Sequence, residues 1–127
     1  MGDPFVAYQK AIFTALDAGL SIPVYDFVPE DATYPYLELS RQLALPSDVL
    51  SSNKDEMNTY LTIWSDYKGQ KEVLEIMEQV YALMHQQQFA MDTGRMVKCF
   101  VSSRDTVRDV DNLTFTGNVK LTTLVEH

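Results

Sequence analysis

The stretch "LTIWSDYKGQKEVLEIMEQVYALM", Leu61–Met84, changes its hydrophobic period halfway along, and that change decides the fold class. In its first part Leu61 and Ile63 fall on one face while Tyr60, Thr62 and Trp64 fall on the other, the period of two that a strand imposes. Both faces carry side chains that need cover, so a strand over "MNTYLTIWSDY" belongs in the interior of a sheet. Beyond Lys68 the period becomes 3.6: Val73, Ile76, Met77, Val80, Leu83 and Met84 form an apolar stripe opposite Glu72, Glu75, Glu78 and Gln79. A helix over about 69–87 follows, with one face that must be buried.

Reading outward in both directions completes the element list. Asp3 and Pro4 have the character of an N-cap and a first helical residue. Phe5, Tyr8, Ile12, Phe13 and Leu16 share a helical face, so a first helix is expected over about 4–18, with Gly19 as its left-handed stop. "SIPVYDFV" is short and carries Pro23, which suits a first or edge strand, and Pro29-Glu30-Asp31 then turns the chain. In "YPYLELSRQL" alternation sets Leu37, Leu39 and Leu43 against Glu38, Ser40 and Gln42, with Pro35 where a missing donor is tolerable. Pro46–Glu56 reads as a long polar loop. "RMVKCFVSS" and "LTFTGNVKLTTLVE" are two further strands joined by the polar segment "RDTVRDVDN", and Gly117 marks a bulge or a close approach. The expected class is α+β: a mostly antiparallel sheet of four to five strands with two helices packed on one face, in a single domain spanning 1–127.

Composition bounds the function. A chain of 127 residues and 14.5 kDa with 46% hydrophobic and 22% charged residues has the make-up of an ordinary globular domain. The net charge of -8 and a pI near 4.5 oppose sequence-independent binding of nucleic acid, which relies on lysine and arginine at phosphates. Acidity still permits DNA to pass without sticking, and surface solubility explains the same charge equally well. One cysteine, Cys99, allows neither an internal disulfide framework nor a cysteine-rich zinc site. "MGDPFVAYQK" lacks the basic and apolar blocks of a secretion signal, and Val6 stands where a myristoylation signal wants Ser or Thr. No apolar run approaches the ~20 residues that span a bilayer, so no membrane partner is expected.

The chemical candidates all have plainer readings beside them. Asp105, Asp109 and Asp111 form the densest set of oxygen donors, but Arg104 and Arg108 interrupt it and the segment lacks the Gly and Glu of an EF-hand loop, so a solvated turn is the reading preferred. His85, in the last turn of the second helix, reads as a cation at the helix dipole, and His127 as a chain end. Glu30 and Asp31 read as solvated turn residues, and Cys99 as a small buried hydrophobe. The methionines read as core filler, against an adaptable surface built from them and Gln86–Gln88. The five glycines are isolated, so no phosphate-binding loop exists. No catalytic residue, cofactor or metal is expected. The aromatic excess at Tyr25, Phe27, Tyr34, Tyr36, Tyr60 and Trp64 stays open between an aromatic core and an interaction surface.

An N-terminal helix, then "IPVYDFVPEDATYPYLELS", then Leu61–Met84 resembles the tail completion, or tail-to-head joining, proteins of long-tailed bacteriophages. The shared pattern is a short strand ending in a "VP" acidic turn, a "YPY" strand start, a strand closing in Trp-Ser and "KGQKEV" opening a helix. It covers residues 5–85, and the final two strands in general character. The family is similar in role to tail terminators. The resemblance therefore implies a structural virion protein that forms a homo-oligomeric ring, usually six-fold, on the tail tube protein and joins the tail to a head completion or connector (stopper) protein. DNA would cross its lumen unbound, the protein would sit at the head–tail neck after synthesis in the host cytoplasm, and no reaction is implied. On that resemblance Pro29 and Pro35 fix the turn and the strand start, Tyr34 and Tyr36 fill the junction between sheet and helix or subunit, and Trp64 is a further interface candidate. Ser47, Asp48 and Lys54 in one loop, with Arg104, Arg108 and Asp109 in the other, become ring or tail contacts. The competing readings are a small soluble acidic adaptor, or a metal-binding protein, unrelated to tails.

Overall fold

Twelve residues of β3 (Lys54–Ser65) pair with twelve of β5 (Phe115–Glu126) in an unbroken antiparallel ladder, and everything else is arranged on that ladder. The computed structural model describes residues 5–46, 54–92, 94–108 and 114–126. It adds α1 (Phe5–Gly19), β1 (Val24–Tyr25), β2 (Tyr36–Pro46), α2 (Lys71–Met84) and β4 (Arg95–Arg108). The strand order is β1-β2-β3-β5-β4. β3 and β4 run parallel, because both are antiparallel to β5, so α2 carries the chain across a gap that the β4–β5 hairpin then fills.

Register fixes which side is core. The pairs Met57↔Thr123, Thr59↔Leu121, Leu61↔Val119 and Ile63↔Gly117 place the odd-numbered residues of β3 and β5 on one face. Both helices cover that face. Tyr8, Ile12 and Leu16 of α1 and Val73, Ile76, Met77, Val80 and Met84 of α2 are buried there with Leu37, Leu39 and Met57. Met57, Met77, Met84 and Met96 are buried, the role expected of flexible core filler.

Several boundaries differ from expectation for identifiable reasons. A register shift between Leu39 and Arg41 sets Gln42 opposite buried Thr59 and Ala44 opposite buried Met57. Leu43 therefore lies on the outer side with Asn58, not on the face of Leu37 and Leu39, because a bulge inserts one residue and exchanges the faces. β1 pairs with β2 in parallel, Val24↔Leu37 and Tyr25↔Glu38; the segment between them needs to return the chain over only two residues. Gly19 does not take the left-handed conformation. A Cβ there would lie 2.5 Å from Leu83 Cδ2, so this glycine permits α1 to approach α2. α2 ends at Met84, about three residues sooner than the pattern suggests, since His85 is extended and Gln86 has φ 59°. Pro46 and Lys54–Glu56 belong to paired strands and not to the expected loop, whose remaining residues, 47–53, lie outside the described residues. Asp3 and Pro4, the expected cap, also lie outside them.

Two interactions hold the helices to the sheet. The Tyr8 hydroxyl, fully buried, lies 2.7 Å from Thr59 Oγ1 and 3.3 Å from Thr123 Oγ1, so it is satisfied at the centre of the ladder. Gly117 sits beneath α2, where an added Cβ would come within 2.5 Å of Val73 Cγ1 and 2.9 Å of Met77 Sδ. The register is regular at Gly117, so of its two readings close approach is the correct one. Gly117→Val should destabilise the fold by about 2 kcal/mol or more through overpacking, measured by urea denaturation. Burial pushes the Tyr8 pKa up to about 12. A raised tyrosine pKa means the unfolded chain loses its proton first, so the contribution is complete below about pH 10 and disappears as pH rises through the folded value near 12. Tyr8→Phe should therefore cost about 1–2 kcal/mol at pH 7, with the deficit against wild type narrowing between pH 10 and 12 in pH-dependent denaturation curves.

Candidate interaction surface

With both helices on one face, no helix or strand among the described residues covers the other face of the sheet, and its side chains fall into two zones. At the β1–β2–β3 end the "TYPY" stretch assembles an aromatic corner. Tyr36 stacks with Tyr34 at 5.6 Å and with Trp64 at 6.4 Å, and meets Tyr25 edge-on at 5.7 Å. The turn before it is closed by the Ala32 N–H donating to the Pro29 carbonyl at 3.1 Å, the Tyr34–Pro35 peptide is cis, and the Leu37 N–H donates to the Pro23 carbonyl at 3.0 Å. Trp64 Nε1 donates to Glu38 Oε1 at 3.3 Å, fixing the indole. Partial loss of water, with Tyr34, Glu38 and Tyr25 alongside, raises the Tyr36 hydroxyl above the usual tyrosine value.

The second zone is a band of hydroxyl and amide groups across the strands. Thr62 Oγ1 is 3.1 Å from Ser40 Oγ and 3.4 Å from Asn118 Oδ1. Thr122 Oγ1 is 2.9 Å from Ser102 Oγ and 3.1 Å from Asn58 Oδ1. Ser40 and Ser102 give their own protons to the Tyr60 and Lys120 carbonyls, so each threonine has one proton for two acceptors, and the band keeps acceptor capacity for another partner. Tyr60 lies between Arg41, 5.4 Å from its ring centre, and Lys120 at 5.8 Å. Such a face, aromatic at one end and rich in short polar groups elsewhere, suits contact with another protein.

The residues singled out from sequence divide between three places. Tyr34, Tyr36 and Trp64 come together in the corner. Arg104 and Arg108 lie within β4, paired with Val119 and Phe115, and not in the expected loop, because that strand runs to fourteen residues. Their guanidinium groups cover Tyr81 at 4.4 Å and Phe115 at 5.2 Å on the helix side of the sheet. Lys54 opens β3 opposite Glu126. Ser47, Asp48, Asp109, Asp111 and His127 lie outside the described residues. Asp105 is exposed on β4, and among the described residues no group of three His, Cys, Asp or Glu side chains is placed to hold a metal.

His85 does not act as a cationic cap. Its Nδ1 accepts the Val101 N–H at 3.1 Å, and its ring stacks on Tyr81 at 4.4 Å. With the Gln86 N–H donating to the Cys99 carbonyl at 2.6 Å and the Cys99 N–H to that of Gln87 at 2.9 Å, residues 85–87 cover part of the outer edge of β4. Cys99 is buried, and loss of water raises its thiol, partly offset by its hydrogen bond with Thr123, so it is not poised as a nucleophile.

Two surface features lie apart from the sheet face: Phe27, which the sequence left open between core and surface, and a groove that it did not show. Phe27 is 86% exposed. An apolar ring between Asp26 and the Pro29-Glu30-Asp31 turn was the available signal. A groove of about 310 Å³ lies between α1 and Phe89–Asp92, shallow because the helix presents Ala7, Ala11 and Ala15 to it. The alanine spacing of four was visible, but nothing in the sequence placed Phe89 opposite.

The corner separates support from contact. Tyr36→Ala, which loses three ring neighbours, should cost about 2 kcal/mol of folding stability, whereas Tyr34→Ala, 40% exposed with one neighbour, should cost under about 1 kcal/mol in the same denaturation series.

No curated protein matches this sequence. Among solved structures, a chain of "Virion of native gene transfer agent (GTA) particle" superimposes with a TM-score of 0.88 at 16% identity, covering 100% of both chains, a likeness of fold. The family described as "Tail completion protein gp17" matches residues 9–126. That span takes in every strand and both helices except the first turn of α1, and the chain is therefore a member of the gp17 tail completion protein family.

Proposed function

We propose that this protein is a structural, non-enzymatic component of a phage-like virion that closes the end of the tail tube as a ring of its own copies, six in the usual arrangement. The ring joins the tail to the head connector and leaves a channel for DNA. The observation that carries this reading is the family match across nearly the whole chain. The uncovered sheet face supports it, because a subunit acting by assembly needs a broad surface that its own fold does not bury. On this reading the aromatic corner of Tyr34, Tyr36 and Trp64 packs against a neighbour or the tube. Ser47, Asp48 and Asp109 keep the contact roles that the resemblance implies.

The net charge of -8 fits the same role. Glu75 and Glu78 stand exposed on α2, opposite the stripe that packs on the sheet. A lumen lined by such groups repels phosphate and lets a duplex slide. The protein would then reside at the head–tail neck of the particle.

The reading is tested with tails assembled without this protein. Adding the purified protein should place a ring-shaped cap on one end of each tube and restore joining to filled heads, both visible by negative-stain electron microscopy. Bare tube ends and unjoined tails at saturating protein would overturn it.

A further inference from the structure

The sheet face away from the helices carries, near its centre, two cations that the molecule leaves unpaired. Arg41, Tyr60 and Lys120 are neighbours in register across β2, β3 and β5, and both cations converge on the one ring, at 5.4 and 5.8 Å from its centre. Neither has an ion-pair partner among the described residues. The carboxylates that β2, β3 and β5 carry on this face are engaged elsewhere. Glu38 accepts from Trp64 Nε1 at 3.3 Å, Glu56 accepts from the Asn58 side-chain amide at 3.1 Å, and Glu126 pairs with Arg95 at 3.3 Å. Asp105, on the edge strand β4, forms no ion pair with Lys120. In a chain with 18 acidic and 10 basic residues, two adjacent cations without an ion pair are open to carboxylates from outside.

The same chain offers matching carboxylates. Glu30 and Asp31 are exposed in the turn before β2, and neither has an ion-pair partner among the described residues. The apolar surroundings match as well. Phe27 stands exposed just before these acids, while Leu43 and exposed Leu45 continue the outer side of β2 beyond Arg41. An apolar side chain beside two carboxylates on one surface thus answers apolar side chains beside two cations on another. Two different, complementary surfaces on one chain are what a heterologous contact between copies requires. Pairing them also relieves part of the repulsion that a net charge of -8 sets up between copies.

We infer that Glu30 and Asp31 of one subunit dock on the Arg41–Tyr60–Lys120 row of a second copy of this chain, with Phe27 against Leu43 and Leu45. The inference rests on the ring reading above and names its repeating contact. Each added copy covers one row and offers another, and closure of the ring leaves none open.

The test uses two charge-reversed proteins, one with Arg41→Glu and Lys120→Glu, the other with Glu30→Lys and Asp31→Lys. Both are followed by sedimentation and electron microscopy, alone, mixed, and with tail tubes, after thermal melting has established that each is folded. Alone, each should need at least about tenfold more protein than wild type to form rings or caps, because every contact then opposes like charges. Mixed in equal amounts, the two should associate again at wild-type concentrations. A reversed row then meets a reversed turn, a native row meets a native turn, and the proteins alternate, closing rings where the copy number is even. Mixing could not repair a contact made within one molecule. Glu30 and Asp31 are exposed, so the turn variant tests the contact even if the row variant does not fold. Either variant forming rings or caps alone at wild-type concentrations, or a folded mixture that does not associate, would overturn the inference while leaving the ring reading intact. Rings that form normally from the row variant but no longer cap tubes would assign the row to the tail tube and overturn it as well. If wild type formed neither rings nor caps, the ring reading would fail and this contact with it.

Discussion

The unbroken pairing of β3 with β5 is the constraint on which the rest of the molecule depends. Twelve consecutive pairs without a bulge hold one parity of side chains on one face for the full length of both strands, and period two then leaves no freedom in what the other face carries. Thr59, Leu61, Ile63, Val119 and Leu121 need a cover, and α1 and α2 supply it. The even-numbered residues include Tyr60, Thr62, Trp64, Asn118 and Thr122, which are half-buried, with no second layer over them among the described residues. The uncovered face is thus a consequence of the same register that builds the core.

The two neighbours of this ladder are irregular, and their irregularities have distinct effects. The bulge in β2 turns Leu43 outward and Gln42 inward, where Gln42 Oε1 has no partner among the described residues. β4 carries two register shifts, one after Met96 and one after Val101. Its outer edge is covered near Cys99 and Val101 by His85, Gln86 and Gln87, which protects the sheet against unplanned pairing there. Gln86 adopts a left-handed backbone to do this, a conformation that a non-glycine residue takes at some cost and that the paired hydrogen bonds with Cys99 hold in place.

Much of this was legible in the sequence where one period persisted over many residues. The α2 stripe, the interior position of β3 and the α+β class follow from such runs, because burial on one face selects the pattern directly. What escaped depends on single residues or on long-range placement. One extra residue near Ser40 exchanges the faces of a strand without altering its composition, so Leu43 looked inward. Gly19 resembles a helix stop, and only the position of Leu83 on another helix reveals its use. Arg104 and Arg108 look like loop residues because charge is common in turns, yet their guanidinium groups lie over the rings of Tyr81 and Phe115. In the interaction surface, the "YPY" stretch was recognisable, but its meeting with Tyr25 and Trp64 depends on the parallel β1–β2 pair, which two residues cannot announce.

The central claim is that the uncovered sheet face and its aromatic corner are surfaces of assembly. Hydroxyl-radical footprinting read by mass spectrometry, on the protein free and bound to tail tubes, tests it most directly. The account predicts that labelling of Tyr34, Tyr36 and Trp64 falls several-fold on binding while labelling of exposed Leu74 on α2 changes little. Equal labelling of the three aromatic residues in both states, with protection confined to the helix side, would contradict it.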